Sequence, residues 1–434
     1  MQIAVIGTGI AGLTTAWLLN QSGHEVSLFE KQSSLGMASH GIQIPINEIS
    51  QQCDVPSRMF NPLLWPNLSE LYDLIGVEST EVDPSKSFSD FSPSDKFNSK
   101  VVLKLNESFN LHVIPQLLLQ PNSRNIVKDI ATMMSNAETD LEKLRDPKLA
   151  TVTTFRDYLV RNGYSNEFIY QFLYPALSST VCTCSYQSLD VYPADILLAA
   201  MQMLIGASPL RRTVHGTQHT ANLLVQHIDH INCNATVVNV SSSGNKAYAK
   251  IQMGGVNSIH EFDHVVVATQ ANSAANFLPA EFQLEREILG RFQYEDVTVA
   301  IHSNEQWMPT RKRDWATFNF LSQCDKRAAM CSIWLNQFYS EWETTTPYFQ
   351  TIMPLDVPQS KTLIATAKLQ RPTVTASTRD NIDQLMQLHL QPDRRVWFCG
   401  SYANPGIPLL ESGVVSALRL AKPLEAKLPP NCKI

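Results

Sequence analysis

Three glycines, Gly7, Gly9 and Gly12, directly follow the apolar run Ile3, Ala4, Val5, Ile6. Few features restrict a fold more. A short, bulky, unbroken run suits a strand buried on both faces of a parallel sheet. Gly7 permits the sharp turn out of that strand, Gly9 lets a diphosphate reach the backbone, and Gly12 lets the next helix pack closely. Leu13, Ala16 and Trp17 recur at helical spacing, with Gly23 where that helix should stop. Val26, Ser27, Leu28 and Phe29 read as the second strand, and Glu30 sits at its tip. Glu30 lies about 18 residues beyond Gly12, where a carboxylate reaches the hydroxyls of an adenosine ribose. A carboxylate there repels a 2′-phosphate and disfavours NADP. The motif leaves NAD and FAD open.

The chain of 434 residues, 44% hydrophobic and 17% charged, can bury a large core in about two domains. A net charge of −6 gives no reason to expect nucleic-acid binding. No apolar stretch approaches the roughly 20 residues of a membrane span, and glycines interrupt the N-terminal one without a basic segment before it. The eight cysteines are scattered and do not resemble a disulfide framework. Cys182 and Cys184 form a close pair, but no second pair or histidine cluster completes a zinc site, so no metal is expected. The simplest compartment is the cytoplasm, with no integral membrane segment, although peripheral contact with a membrane is compatible with the composition.

Further along, Leu68, Leu71, Tyr72 and Ile75 share one helical face ending at Gly76. Residues 79–110 read as short strands and loops, and 117–147 carry a helical period. Thr154 and Asp157 form a capping pattern before "FRDYLVRNG", and "SNEFIYQFLYPAL" reads as a second amphipathic helix. "ATVVNVSSSGNKAYAKIQM" reads as a hairpin and "DHVVVATQ" as another buried strand. The last element, "RRVWFCGSYANPGIPLLESGVVSALRLAK", is a strand, a glycine-punctuated loop and a helix starting near Ser412.

That ending is similar to the one in FAD-dependent enzymes of the flavin-containing amine oxidase and phytoene desaturase superfamily. The segments "WPNLSELYDLIGV", "TTFRDYLVRNGYSNEFIYQFLYPAL", "RRTVHGTQHTANLL", "DHVVVATQAN", "RKRDWATFNFL" and "VWFCGSY" resemble, in order, blocks of a bacterial and fungal subfamily within it. The resemblance implies an α/β chain: a Rossmann-like FAD-binding domain (1–60, 205–275 and 390–434) with an interleaved α+β substrate domain (61–204 and 276–389). It also implies FAD as cofactor. Gly7, Gly9, Ile10, Ala11, Gly12, Glu30 and Lys31 would hold its ADP half. Gly36 would approach the diphosphate in a loop where Met37 replaces a second glycine, with Ser39 or His40 as further donors. Val237 or Val238 would meet adenine, and Ala268 and Thr269 the ribose. Gly400, Ser401, Glu411, Ser412 and Gly413 would hold the flavin half. A helix N-terminus there, with its partial positive charge, favours the anionic reduced flavin.

For chemistry, Arg58 is a candidate to contact the flavin edge or anchor a carboxylate, or else to form an ordinary ion pair or a diphosphate contact. Asn61 could donate to a carbonyl or cap a turn. Trp315 and Asn319 could line the substrate cavity or pack as an aromatic with a satisfied amide. Tyr402 matches the position of an aromatic box. Lys312, Lys368 and His215 stand in suitable blocks without convincing spacing. The catalytic residue is left unassigned among Arg58, Trp315, Asn319 and Tyr402, because in hydride transfer the flavin does the chemistry and the protein orients the substrate. The leading expectation is an FAD-dependent oxidoreductase working by hydride transfer on a hydrophobic, unsaturated fatty-acyl or lipid-like small molecule, by desaturation, oxidation or isomerisation. The alternatives are an amine oxidase making imine and hydrogen peroxide, and a non-catalytic FAD-binding protein.

Overall fold

The computed structural model describes residues 1–46, 49–91, 99–106, 123–146, 152–204, 210–323, 325, 327–356 and 361–433. The first strand, β1 (Gln2–Ile6), lies at the centre of a five-stranded parallel sheet. On one side it pairs with β2 (Glu25–Phe29), which in turn pairs with His230–Asn232. On the other it pairs with His264–Val267, which pairs with Val396–Phe398. The apolar run that opens the chain is fully buried, as a central parallel strand requires.

Helix α1 (Ile10–Gln21) and the helix Leu410–Leu418 cover one face of this sheet. The other face carries the antiparallel meander Ala235–Ser243, Lys246–Met253 and Val256–Phe262, together with the helices Ala271–Phe277, Gln283–Gly290 and Thr378–His389. A second, seven-stranded sheet has the order 363–372, 294–302, 349–352, 328–334, 318–323, 86–91, 99–105. Its pairings are antiparallel except between Phe318–Gln323 and Lys86–Phe91. Helices of the 124–204 region pack on it through a core that includes Phe88, Phe172, Phe320 and Tyr174.

Packing cuts across the residue ranges expected for the two domains. Leu68, Leu71 and Tyr72 of helix α2 (Pro66–Leu74) join the core of α1 and the parallel sheet. Leu278, Ile288, Leu289, Ile382, Leu385 and Leu388 pack on that sheet's other face. All lie in ranges expected for the substrate domain, because burial against a neighbouring face, not position in the chain, decides where an amphipathic helix docks. Thr154 caps Phe155–Arg161 by accepting from Asp157 N, as its spacing predicts. The expected single helix after Ser165 is instead interrupted by π-helical turns at Ile169–Leu173 and Leu177–Val181. No helix among the described residues is long and apolar enough to cross a membrane.

Candidate functional site

The glycine loop closes the top of β1 by tight packing. Gly7 has a φ of +96°, and its N–H donates to Phe29 O at 2.8 Å. A side chain on Gly12 would meet Gly7 O at 1.9 Å, so α1 can begin here only with glycine. Gly9 differs. It precedes α1 with ordinary backbone angles and no capping side chain, and a Cβ there would meet nothing within 4 Å. The backbone of Gly9 therefore borders open space at an uncapped helix N-terminus, the geometry of an anion cradle.

Glu30 closes the side of this cradle. Only 6% exposed, its carboxylate accepts from Thr8 N at 3.0 Å, the Thr8 hydroxyl at 2.6 Å and Gln32 N at 2.9 Å. Gly36 completes the corner, donating to Thr8 Oγ1 at 2.6 Å, and a side chain on it would come within 2.8 Å of Glu30 Oε2. Met37 turns its side chain into the core and donates from its N–H to Thr8 O at 3.0 Å. Ser39 Oγ is spent on Gly36 O, and half-buried His40 has its pKa lowered by burial and by the Arg58 charge. Lys31 is exposed. Ala235 N donates to Glu30 O, which brings the strand of Val237 and Val238 beside the acid. Val237 is buried, and Val238 points outward at an irregularity between the paired strands. Ala268 and Thr269 border Gly7 from the neighbouring strand.

A second helix N-terminus comes in beside the first. A Cβ on Gly413 would collide with Ile10 Cγ2 at 2.6 Å, so Leu410–Leu418 rests directly on the start of α1. Its N-cap, Leu409, carries no capping side chain. Gly400 N donates to Ser416 Oγ at 3.0 Å, and Ser412 Oγ donates to Ile407 O at 2.8 Å, which ties the strand–helix turn that also holds half-buried Ser401. Two uncapped helix starts thus converge, each a concentration of free N–H groups and partial positive charge.

Several sequence candidates are committed elsewhere. The Glu411 carboxylate does not serve its own helix: it caps α2, accepting from Asn67 N, Asn67 Nδ2 and Leu68 N at 3.2, 2.7 and 2.8 Å. Asn319 is 0% exposed and makes four hydrogen bonds, to the Ala316 N–H and carbonyl, Ser87 Oγ and Ser332 O. Trp315 donates to Pro309 O and packs edge-on against Trp334 and Phe349. Both pack in the interior of the second sheet. The Tyr402 ring is wedged beneath Gly400 against Phe292, in the apolar core on the far face of the parallel sheet. Asn61 caps a turn by accepting from Leu63 N and Leu64 N. Lys312 pairs with Glu305, Lys368 is exposed, and His215 stands at the surface near Glu78.

Arg58 is half-buried. Burial lowers its pKa, and so does the like charge of Arg371, while Asp54 opposes the shift. Arg371, on the strand Leu363–Pro372, was not singled out by sequence. It is half-buried as well, and its buried Nε has no hydrogen-bond partner among the described residues. Only its alternation with exposed Gln370 in that strand hinted that it turns inward. Separate from these groups, a surface cleft of about 260 Å³ lies where Asp195 pairs with Arg379 and Arg145.

A model of the NAD(P)-binding Rossmann-like domain matches residues 5–74, the span from β1 through α2. Over the whole chain, the structure is similar to putrescine oxidase bound to putrescine, with a TM-score of 0.68 at 13% identity over 98% of this chain and 100% of that one. It shares the fold of that oxidase. The same fold relates it to a fatty acid isomerase of P. acnes that produces CLA (TM-score 0.66, 14% identity, 97% and 98% covered). Cyclohexylamine oxidase from Brevibacterium oxydans IH-35A is similar too (TM-score 0.62, 14% identity, 98% and 99% covered). Each of these relatives matches along nearly its full length, so the similarity takes in the second sheet as well as the glycine cradle.

Proposed function

We propose that this chain is an FAD-dependent oxidoreductase acting on a hydrophobic, chain-like small molecule. The observation that carries the reading is the pair of uncapped helix N-termini, at Gly9 and Leu409, brought together by Gly413 on Ile10. An extended dinucleotide with a diphosphate at one end and a flavin at the other fits such a pair; a single nicotinamide cradle needs only the first. Gly7, Gly9 and Gly12 with the start of α1 would hold the diphosphate. Glu30 would accept from the ribose hydroxyls, and the backbone around Val237 and Val238 would border adenine. Gly400, Ser401 and the start of Leu410–Leu418 would face the flavin half. When bound, FAD supplies the electron-pair acceptor or donor. The chain's own part is to orient a substrate carbon against it and to exclude water with apolar side chains of the core on the second sheet, among them Ile44, Val55 and Ile407.

The likeness to two amine oxidases favours a second reading, an amine substrate. The half-buried guanidiniums of Arg58 and Arg371 favour an acidic or neutral substrate over an ammonium, which they would repel. The test begins with the purified protein, which should be yellow and release FAD on denaturation; release of NAD alone would overturn the proposal. Glu30→Ala should then retain less FAD, and anaerobic bleaching should follow unsaturated or methyl-branched acyl compounds and not amines. Bleaching by amines alone would establish the second reading. FAD release with no ligand bound from either panel would leave a flavin-binding protein without turnover.

A further inference from the structure

The edge strand of a sheet presents a row of unused N–H and C=O groups, and proteins guard such edges with lysines, prolines, bulges or shortness. The sheets of this chain follow the rule with one exception. The seven-stranded sheet carries Lys368, Arg371 and Pro372 on one outer strand and Lys100 and Lys104 on the other. The parallel sheet ends in strands of three residues, His230–Asn232 and Val396–Phe398. In the meander, one edge strand, Ala235–Ser243, is interrupted by an irregularity between Val237 and Asn239. The other edge, Val256–Phe262, is the exception. It is seven residues long, VNSIHEF, with neither lysine nor proline. Among the described residues it pairs only with Lys246–Met253, in unbroken register. Its first six residues are all exposed, Val256 to 71% and Ile259 to 70%. Two β-branched side chains on a long open edge invite another strand.

We propose that this edge pairs antiparallel with the same strand of a second copy of the chain, about a twofold axis at Ile259, so that two meanders join in one continuous sheet. A twofold interface must be complementary to itself. The faces of the strand are set by its register: Ser258 and His260 lie opposite buried Ile251 and Ala249, on the core side, while Asn257, Ile259 and Glu261 lie opposite Gln252, Lys250 and Tyr248, on the outer side. With the axis at Ile259, the two isoleucines meet each other, Asn257 faces the partner's Glu261, and Ser258 faces the partner's His260. An amide N–H donates to a carboxylate, and the Ser258 hydroxyl already lies 2.8 Å from His260 Nε2 within the strand, so these groups suit one another. No like charges oppose. An axis one residue to either side sets Ile259 against Asn257 or against Glu261 and loses this match. The strand thus reads the same from both ends, a property that a second copy meets and an unrelated strand does not. A ladder of this length is small beside a standard interface, so the dimer forms and parts with concentration.

Analytical ultracentrifugation of the full chain, with FAD in excess throughout, tests this between about 1 and 100 µM. Wild type should pass from monomer to dimer with no larger species, because a twofold pairing closes on itself. Ile259→Lys sets two ammonium groups against each other on the axis and should abolish the dimer. The position is exposed, so the unfolding temperature of the dilute variant should stay within a few degrees of wild type. Asn257→Glu opposes the partner's Glu261 at both symmetry-related pairs and should weaken the dimer about 2- to 30-fold, whereas Asn257→Lys at the same place should strengthen it. A wild type that stays monomeric overturns the proposal, and so does a dimer that Ile259→Lys leaves intact. Equal effects of Asn257→Glu and Asn257→Lys would overturn the axis at Ile259. A monomeric wild type that nevertheless binds a labelled peptide of unrelated strand-forming sequence, with binding lost in Ile259→Lys, would give the edge to a foreign strand and overturn the second copy.

Discussion

Replacing Gly9 by alanine separates the cost of a methyl group to the fold from its cost to a ligand. In the free protein the added Cβ meets nothing within 4 Å, and the φ of −66° at this position suits any residue. Alanine is a poorer N-cap than glycine by about 0.5–1 kcal/mol, while restricting the unfolded chain returns about 0.4–1 kcal/mol. The apoprotein should therefore unfold at the wild-type temperature to within a few degrees. The same methyl occupies the space assigned to the diphosphate. Loss of one charge-assisted contact, about 1.5–3 kcal/mol, weakens FAD binding roughly 10- to 150-fold. Titrating apoprotein with FAD and following flavin fluorescence measures this directly. Gly12→Ala is the control, since its methyl would strike Gly7 O and should lower both stability and binding. Wild-type FAD affinity in Gly9→Ala would refute the placement of the diphosphate.

Acid should unfold the protein partly through two buried imidazoles. His389 accepts from Phe398 N–H and has its pKa lowered to about 3 by burial and then by Arg394; His302 is lowered by burial to about 4. Both are neutral when folded and protonate first in the unfolded chain, so stability is fully present above pH 6.5 and falls as pH drops towards those values. At pH 5 each contributes a loss of about 2 kcal/mol, which His389→Gln should halve in urea unfolding curves compared between pH 7.5 and 5. Tyr402→Phe should leave stability unchanged or raise it by about 1 kcal/mol in thermal unfolding, because the removed hydroxyl is buried without a partner. Glu411→Ala should lower stability by about 1–3 kcal/mol by uncapping α2, with a smaller effect on FAD retention than Gly9→Ala.

The parts of the fold governed by local pattern could be read from the chain alone. The strand–glycine–helix start, the Thr154 cap, the hairpin of Ala235–Ser243 and Lys246–Met253 and the final strand–turn–helix all follow from periodicity and turn chemistry. What local pattern does not carry is a side chain's partner that is distant in sequence. Nothing near Glu411 announces that it will cap a helix at Asn67, nor near Asn319 that Ser87 will satisfy it. The position of Tyr402 matches an aromatic box by resemblance, and only the fold shows that Gly400 makes room for its ring.

The seat of Gly413 on Ile10 has a consequence for how the protein comes into being. In synthesis the glycine loop emerges long before the outer strand Val396–Phe398 and the helix that presses on α1. Until then β1 lacks its full sheet and the first cradle stands alone. A ligand that needs both cradles is therefore captured only after this helix has emerged, and every chain that stalls before residue 396 exposes the apolar flank of His264–Val267 as an open strand edge. Cells expressing such a protein would meet its hazards during translation, before any ligand spanning both cradles has been bound.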